Sequence, residues 1–340
     1  MPTAALLSFR FSPTDGVSVV SRRWTEVLER LGFDVVTVAA SGADRLVRGI
    51  GLDADVAPDA KALRAALGDA DLVVVENLCT IPLNVPAALV AAELLSGRPA
   101  VMHHHDPPWH RSRFSHVTEL PIDDPSWAHV SITQTAADEL RVRGIESTVI
   151  YNGFEAPGPG DRDGTRARLG VNPGELLVAH PVRAIERKNV PAAIELTERL
   201  GGTYWLLGPA EEDYGPTLDR LLGEATCRVI RQSSDRVDDL YAAADLVAYP
   251  STWEGFGNPP IEAALRRRPV VVGDYPFARE LRRLGFRFFE PTDLGGVRAF
   301  LDTPDPTLLS RNERLAAELF SMERVERGVR DLLDERGWLP

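Results

Sequence analysis

The chain has 340 residues, 44% hydrophobic and 26% charged, which suits about two soluble globular domains. The net charge is −12, with 13 basic against 19 acidic residues up to position 150 and 25 against 31 after it. Neither part is basic, so nucleic acid is an unfavourable partner.

Two cysteines, Cys79 and Cys227, exclude a disulfide framework and point to a reducing compartment. There is no run of about 18 apolar residues and no signal-peptide pattern at Met1–Phe11, so a cytoplasmic location without a transmembrane segment is expected. Of 38 basic residues only Lys61 and Lys188 are lysines, which draws attention to a lysine in a loop.

In chain order, short β-rich runs alternate with amphipathic stretches. Strands are predicted at Ala4–Phe11, Phe33–Ala39, Asp71–Val75, Ala100–His105, His129–Thr133 and Ser147–Tyr151. Helices are predicted between them at Val19–Leu31, Ala62–Leu67, Ala87–Ser96 and Ala136–Arg143. Asn152–Gly164 (NGFEAPGPGDRDG) is rich in Gly, Pro and Asp and reads as a linker. The pattern then restarts, with strands at Leu176–Pro181, Thr203–Leu207, Arg228–Ile230, Leu246–Tyr249 and Val270–Val272. Arg311–Arg336 reads as one or two polar amphipathic helices.

Apolar strands between helices predict two doubly wound α/β domains in tandem, with ligands at the C-terminal ends of the strands and a cleft between the domains. The expected division is 1–154, 155–322 and a closing segment 323–340 that crosses back onto the first domain.

Four loops that follow strands carry the chemical signal. Thr14-Asp15-Gly16-Val17 offers a glycine before a helix start, suited to close approach of an anion but also to an ordinary turn. His103-His104-His105-Asp106 raises the question of a metal. Residues two apart share a strand face, so His103 and His105 point the same way. Zinc sites usually take four ligands, or three and a water, and no cysteine pair or HExxH pattern is nearby. The expectation is no metal, with a substrate-contacting histidine at His105.

The third loop, Arg183–Asn189 (RAIERKN), sets Arg183 and Lys188 near a helix start. That pair suits a diphosphate, and a solvated charged turn fits the composition equally. The fourth and most specific is Ser251–Ala263 (STWEGFGNPPIEA). Gly255 and Gly257 bare the backbone, Pro260 is expected to start a helix, and Glu254 and Glu262 stand eight positions apart. Each carboxylate can accept two hydroxyls of a polyol.

The segment Glu254–Glu262 with its GFGNPPI resembles the E-x7-E signature of retaining, GT-B-fold glycosyltransferases of family 4, also called glycosyl transferases group 1. Tyr241–Pro250 (YAAADLVAYP), the Arg183/Lys188 pair, Asn152-Gly153-Phe154, Asp15-Gly16-Val17 and His105-Asp106 extend the resemblance along nearly the whole chain, most strongly after residue 145. One clear glycine in the first loop, where many relatives have two, and the short first half are departures.

The resemblance implies a metal-independent hexosyltransferase with no cofactor, using a nucleotide-diphosphate sugar of the UDP-glucose or GDP-mannose class. Arg183 and Lys188 would neutralise the leaving diphosphate. Glu262 would bind the ribose. Glu254 and the backbone of Phe256, Gly257 and Asn258 would hold the sugar. Gly16 would approach the phosphates, His105 would contact the sugar near the reacting carbon, and Arg231 would lie by the base. The first domain would bind a small, soluble acceptor or glycan through Glu76, Asn77, Asp106, Trp109 and Arg111, with Arg113 beside them.

Asp53-Ala54-Asp55 and Asp69-Ala70-Asp71 spell a metal-binding Asp-x-Asp but read as structural. No clear nucleophile for a double displacement is present, so same-side attack is expected. A homodimer is compatible with the sequence. The rival readings are a sugar-nucleotide epimerase or phosphorylase of the same fold, or a non-catalytic sugar-binding module.

Overall fold

A computed structural model describes residues 1–12, 16–52, 56–111, 114 and 116–340. The Asp53-Ala54-Asp55 triplet, Thr14, Asp15 and Arg113 lie outside the described residues. The chain forms two compact units, Met1–Gly153 joined by Met322–Pro340, and Phe154–Ser321.

The first unit holds strands β1 (Thr3–Leu7), β2 (Asp34–Ala39), β3 (Arg45–Leu46), β4 (Leu72–Glu76), β5 (Ala100–His104), β6 (Trp127–Ser131) and β7 (Thr148–Val149). They make one parallel sheet in the order β3-β2-β1-β4-β5-β6-β7. Helices α1 (Gly16–Arg30), α2 (Ala60–Leu67), α3 (Val85–Leu95) and α4 (Gln134–Val142) connect them.

Both faces of this sheet are buried, as unbroken apolar runs require. Alternate residues go to opposite faces. Ala4, Leu6, Leu72 and Val74 pack with Val20, Trp24 and Leu28 of α1. Ala5, Leu7, Val73 and Val75 pack with Leu63 and Leu67 of α2 and Ala87, Ala91 and Leu95 of α3.

The terminal helix α13 (Met322–Glu335) adds Met322, Val325, Val329, Leu332 and Leu333 to the α1 face, and Glu326 pairs with Arg30 at 2.8 Å. Asp71 accepts a hydrogen bond from the Thr3 amide at 2.7 Å, a structural use of that carboxylate.

The second unit contains α5 (Arg162–Arg168), β8 (Leu177–His180), α6 (Val190–Leu200), β9 (Thr203–Leu206), α7 (Gly215–Glu224), β10 (Val229–Ile230) and α8 (Val237–Ala243). It continues with β11 (Leu246–Tyr249), α9 (Asn258–Leu265), β12 (Val270–Val272), α10 (Pro276–Arg283), α11 (Leu294–Asp302) and α12 (Pro306–Leu319). Its parallel sheet runs β10-β9-β8-β11-β12.

In both sheets the order reverses between the first strand and a later neighbour, β1 beside β4 and β8 beside β11. Such a switch leaves a crevice at the strands' C-terminal ends. Among the described residues, no helix is long and apolar enough to cross a membrane.

Two local expectations change, and a third is made specific. The first strand stops at Leu7, four residues short of Phe11. The expected linker ends early, because Asp161 caps α5 and accepts the Gly164 amide at 2.9 Å. A Cβ at Gly164 would run into that carboxylate, so the glycine marks a helix start and not a loop. The closing helical segment is two helices, α12 and α13, falling in different units.

A buried polar chain pins β5 to β6. Asp123 only accepts when ionised, so His129 donates to it from Nε2 at 2.9 Å. His129 Nδ1 then accepts from His104 Nε2 at 2.8 Å, and His104 Nδ1 accepts from the Thr80 hydroxyl at 2.8 Å. Both imidazoles are neutral in this scheme. Burial pushes His104 well below the ordinary histidine range, with His129 adding to the shift. Burial likewise lowers His129, against the opposing pull of Asp123.

In the second unit, burial lowers His180, hydrogen-bonded to the Tyr204 hydroxyl at 2.7 Å, to about 3. The unfolded chain binds protons near pH 6.5 that these folded histidines refuse, so stability is complete above that pH and falls below it. The slope is at most about 1.4 kcal/mol per pH unit per histidine. We expect the unfolding midpoint to fall between pH 7 and pH 5 and the slope to lessen in His104→Asn. Equal stability at both pH values would contradict the neutral chain.

Candidate functional site

At the switch point of the second sheet, β8 leads into a 3-10 turn at Glu186–Lys188, and β11 leads into the loop before α9. The turn folds the side chains of Arg187 and Lys188 onto one carboxylate. Lys188 Nζ lies 2.5 Å from Glu254 Oε1 and donates to the Tyr249 hydroxyl at 3.0 Å. Arg187 Nη1 lies 2.5 Å from Glu254 Oε2 and reaches the Trp253 carbonyl at 3.2 Å.

Lys188 and Glu254 are both buried. Burial pushes the Glu254 carboxyl up, but Lys188 and Arg187 outweigh it and hold it below the ordinary carboxylate range. Burial lowers Lys188, and Glu254 opposes that loss. The result is a buried lysine and a half-buried arginine fixed around one buried carboxylate.

Arg183 does not join this cluster. It is exposed and pairs with Glu211 at 2.5 Å. Sequence reasoning passed over Arg187, which takes the place beside Lys188. Nothing in the spacing marks it, because only the tight turn brings neighbouring side chains to the same oxygen pair.

The helix after the loop begins at Asn258, two residues before Pro260, with Gly257 as its cap at φ 86°. A Cβ there would meet the Tyr275 hydroxyl at 2.9 Å, so the position demands glycine on both counts. Phe256 is buried and stacks on Phe277 at 4.2 Å, leaving its backbone and not its ring for a ligand. Glu262 falls in the second turn of α9 and accepts the Tyr241 hydroxyl at 2.7 Å. Arg231 is exposed beyond β10, with its guanidinium 3.5 Å from the Gly208 carbonyl.

In the first unit, Gly16 opens α1, and a Cβ there would meet no neighbour within 4 Å. The register pairs Glu76 of β4 with His103 of β5. Glu76 Oε2 stands 2.9 Å from His103 Nδ1 and 2.7 Å from His105 Nε2. Burial pushes the Glu76 carboxyl up, yet the two imidazoles prevail and hold it at about 2. Burial lowers His103 in spite of Glu76.

Glu76 and Asn77 were read as acceptor contacts, but both are buried and face inward. Asn77, at φ 62°, accepts the amides of His105 and Asp106 at 3.1 Å each and shapes their loop. Trp109 donates to Glu139 at 2.7 Å and carries the Arg143 guanidinium 3.5 Å over its ring, so one face is already covered. Arg111 lies 3.3 Å from Asp106.

The family described as glycosyl transferases group 1 matches residues 161–294, which include the Arg183–Lys188 and Glu254–Glu262 loops. Mannosylglucosylglycerate synthase of Thermotoga maritima is 27% identical over 361 aligned positions, covering 84% of this chain and 83% of that protein. D-inositol 3-phosphate glycosyltransferase of Rhodococcus erythropolis is 38% identical over 133 positions, 34% of this chain and 30% of that one.

The chain is a glycosyltransferase. Its fold is GT-B. HepE of Anabaena, in complex with UDP-glucose, superposes with a TM-score of 0.77 at 21% identity, over 98% of this chain and 99% of that one. Sucrose-phosphate synthase of Thermosynechococcus elongatus gives 0.75 at 16% identity, over 98% and 99%.

In this glycosyltransferase the Lys188–Glu254–Arg187 cluster is also structural. Removing one partner of a buried ion pair costs about 3–5 kcal/mol. Glu254→Ala is therefore expected to lower the unfolding midpoint of the purified enzyme clearly, while Arg183→Ala, at a surface pair, leaves it nearly unchanged. Equal midpoints for Glu254→Ala and the parent would contradict the buried-pair account.

Proposed function

We propose that the enzyme is a retaining hexosyltransferase of the family 4 type. It moves a hexose from a nucleotide-diphosphate sugar of the UDP-glucose or GDP-mannose class to a small soluble acceptor, with no metal ion on the diphosphate and no cofactor. The observation that carries this reading is the charge arrangement at the β8/β11 switch point. Glycosyl transfer builds oxocarbenium character on the sugar and negative charge on the departing diphosphate. Cations and helix N-termini fixed in advance stabilise that charge without reorganisation.

Lys188 has three N–H donors and spends two on Glu254 and Tyr249, so one remains for a phosphate oxygen. Arg183, whose pair with Glu211 is exposed, can exchange that partner for phosphate at little cost. Glu254 stays ionised, and each of its oxygens keeps acceptor capacity for a sugar hydroxyl beyond its bond to Lys188 or Arg187. In this reading Gly257 and Asn258 present backbone amides to the sugar and Glu262, steadied by Tyr241, takes the ribose. Arg231 borders the base, Gly16 approaches the phosphates and His105 contacts the sugar.

The names of the relatives support the acceptor class. One is named for making mannosylglucosylglycerate, a small hydroxylated anionic product, and others are named for D-inositol 3-phosphate, a small hydroxylated anion. We assign this enzyme an acceptor of that kind, a small sugar acid or polyol, with Asp106, Trp109 and Arg111 lining its approach. UDP-glucose in the HepE complex supports the donor class. The family resemblance supports same-side attack, with the leaving phosphate accepting the acceptor's proton, in a cytoplasmic setting.

The test is product stereochemistry, with UDP-glucose and GDP-mannose offered against a panel of sugar acids and polyols. Retention of the anomeric configuration is expected, and inversion would overturn the mechanism. Lys188→Ala should lower turnover by about 10²–10³-fold, the size expected for loss of one fixed charge stabiliser, and weaken nucleotide binding far less. Equal losses in both would remove Lys188 from the leaving-group role.

A further inference from the structure

The function above draws on His105 alone from one cluster and leaves Glu76 and His103 without a role. Glu76, His103 and His105 converge at the C-terminal ends of β4 and β5, and one potential ligand atom from each lies within 4.8 Å of the others. The two strands place Glu76 and His103 side by side, and the period of two returns His105 to the same face. Glu76 and His103 are fully buried and His105 is 6% exposed.

The polar atoms of this cluster are under-used. His105 Nε2 makes a hydrogen bond to the carboxylate at 2.7 Å. His103 Nδ1 lies 2.9 Å from the same carboxylate as an ion-pair contact. His103 Nδ1, His103 Nε2 and Glu76 Oε1 are all buried without a hydrogen-bond partner. A buried polar atom left unpaired is costly, and native proteins carry few of them. Three orphaned atoms within one charged cluster call for an occupant.

We propose that Glu76, His103 and His105 bind a divalent transition-metal ion, zinc by the character of the donors. Two imidazoles and a carboxylate form a recognised zinc donor set, with a fourth position for water or substrate. Bonds of about 2.0–2.2 Å to such ligands hold their donor atoms a little over 3 Å apart, so the present 2.7 and 2.9 Å separations need to open by only about half an ångström. The ion takes up His103 Nδ1, which otherwise has only its 2.9 Å contact with the Glu76 carboxylate.

The donors are held in advance. Trp24 packs on the His103 ring at 4.4 Å, and Asn77 fixes the backbone of His105 and Asp106. The sulfur of Cys79 is turned to the Ala88 carbonyl at 3.7 Å and does not belong to the set. The ion clamps the ends of β4 and β5 and leaves His105 Nδ1 available to a ligand. It is a site of the first unit, distinct from the side-chain cations assigned to the diphosphate in the second.

The test uses the untagged full chain, dialysed after expression with zinc. Elemental analysis should find about one zinc per chain, falling below about a tenth in His103→Ala and Glu76→Gln and unchanged in His116→Ala at an exposed histidine. Cobalt(II) added to the stripped parent should give visible absorption bands of a bound ion, absent in His103→Ala. Circular dichroism reports whether each variant is folded; if neither is, the cobalt titration of the parent alone decides. A parent that retains no zinc and gives no cobalt bands overturns the proposal. A parent that binds neither zinc nor cobalt yet transfers sugar would sink this site and spare the proposed function, whereas a zinc-loaded parent that transfers no sugar would do the reverse.

Discussion

Glu254 is a carboxylate taken almost wholly out of water, and the second unit can hold it there only because the buried Lys188 and the half-buried Arg187 pair with it. An isolated buried charge is expensive, and a paired one is tolerable when its remaining hydrogen bonds are met. This one constraint ties the loop after β8 to the loop after β11. It holds one edge of the crevice at the switch point, keeps the lysine charged in a low-dielectric setting, and leaves polar capacity on both partners. Tyr249 completes the lysine's shell, and the packing of Tyr249 and Tyr275 around Gly257 sets where the backbone of α9 begins.

The first unit meets the same difficulty with different chemistry. Its strand ends carry Glu76 and three histidines into the interior, and alternation along β5 divides them. His104 turns to Thr80 and His129, in a chain that reaches the surface at Asp123. His103 and His105 turn to Glu76 and the Trp24 face. The first group satisfies its hydrogen bonds in full. The second does not, and that inequality between two faces of one strand separates a structural network from a candidate ligand site.

Most of the architecture was legible from periodicity, because a strand buried on both faces must be apolar throughout and a covering helix must be amphipathic. The strands Leu246–Tyr249 and Val270–Val272 were read with their observed bounds. The two-residue strand Arg45–Leu46 was missed, since it is exposed and carries no apolar run. The start of α5 was missed because Gly164 spells a loop, when its lack of a side chain serves the Asp161 cap.

By itself the sequence determined the alternation of strands and helices, the loops that carry polar residues, and the chemical kinds available in each. These follow from local spacing and side-chain chemistry. Only the tertiary structure decided the partners. It set Arg187 rather than Arg183 beside Lys188, turned Glu76 and Asn77 inward, laid Arg143 over Trp109, and joined the last helix to the first unit. Pairing of this kind depends on which strand ends become neighbours and on how much water is excluded between them. Neither quantity is a property of any local stretch of chain.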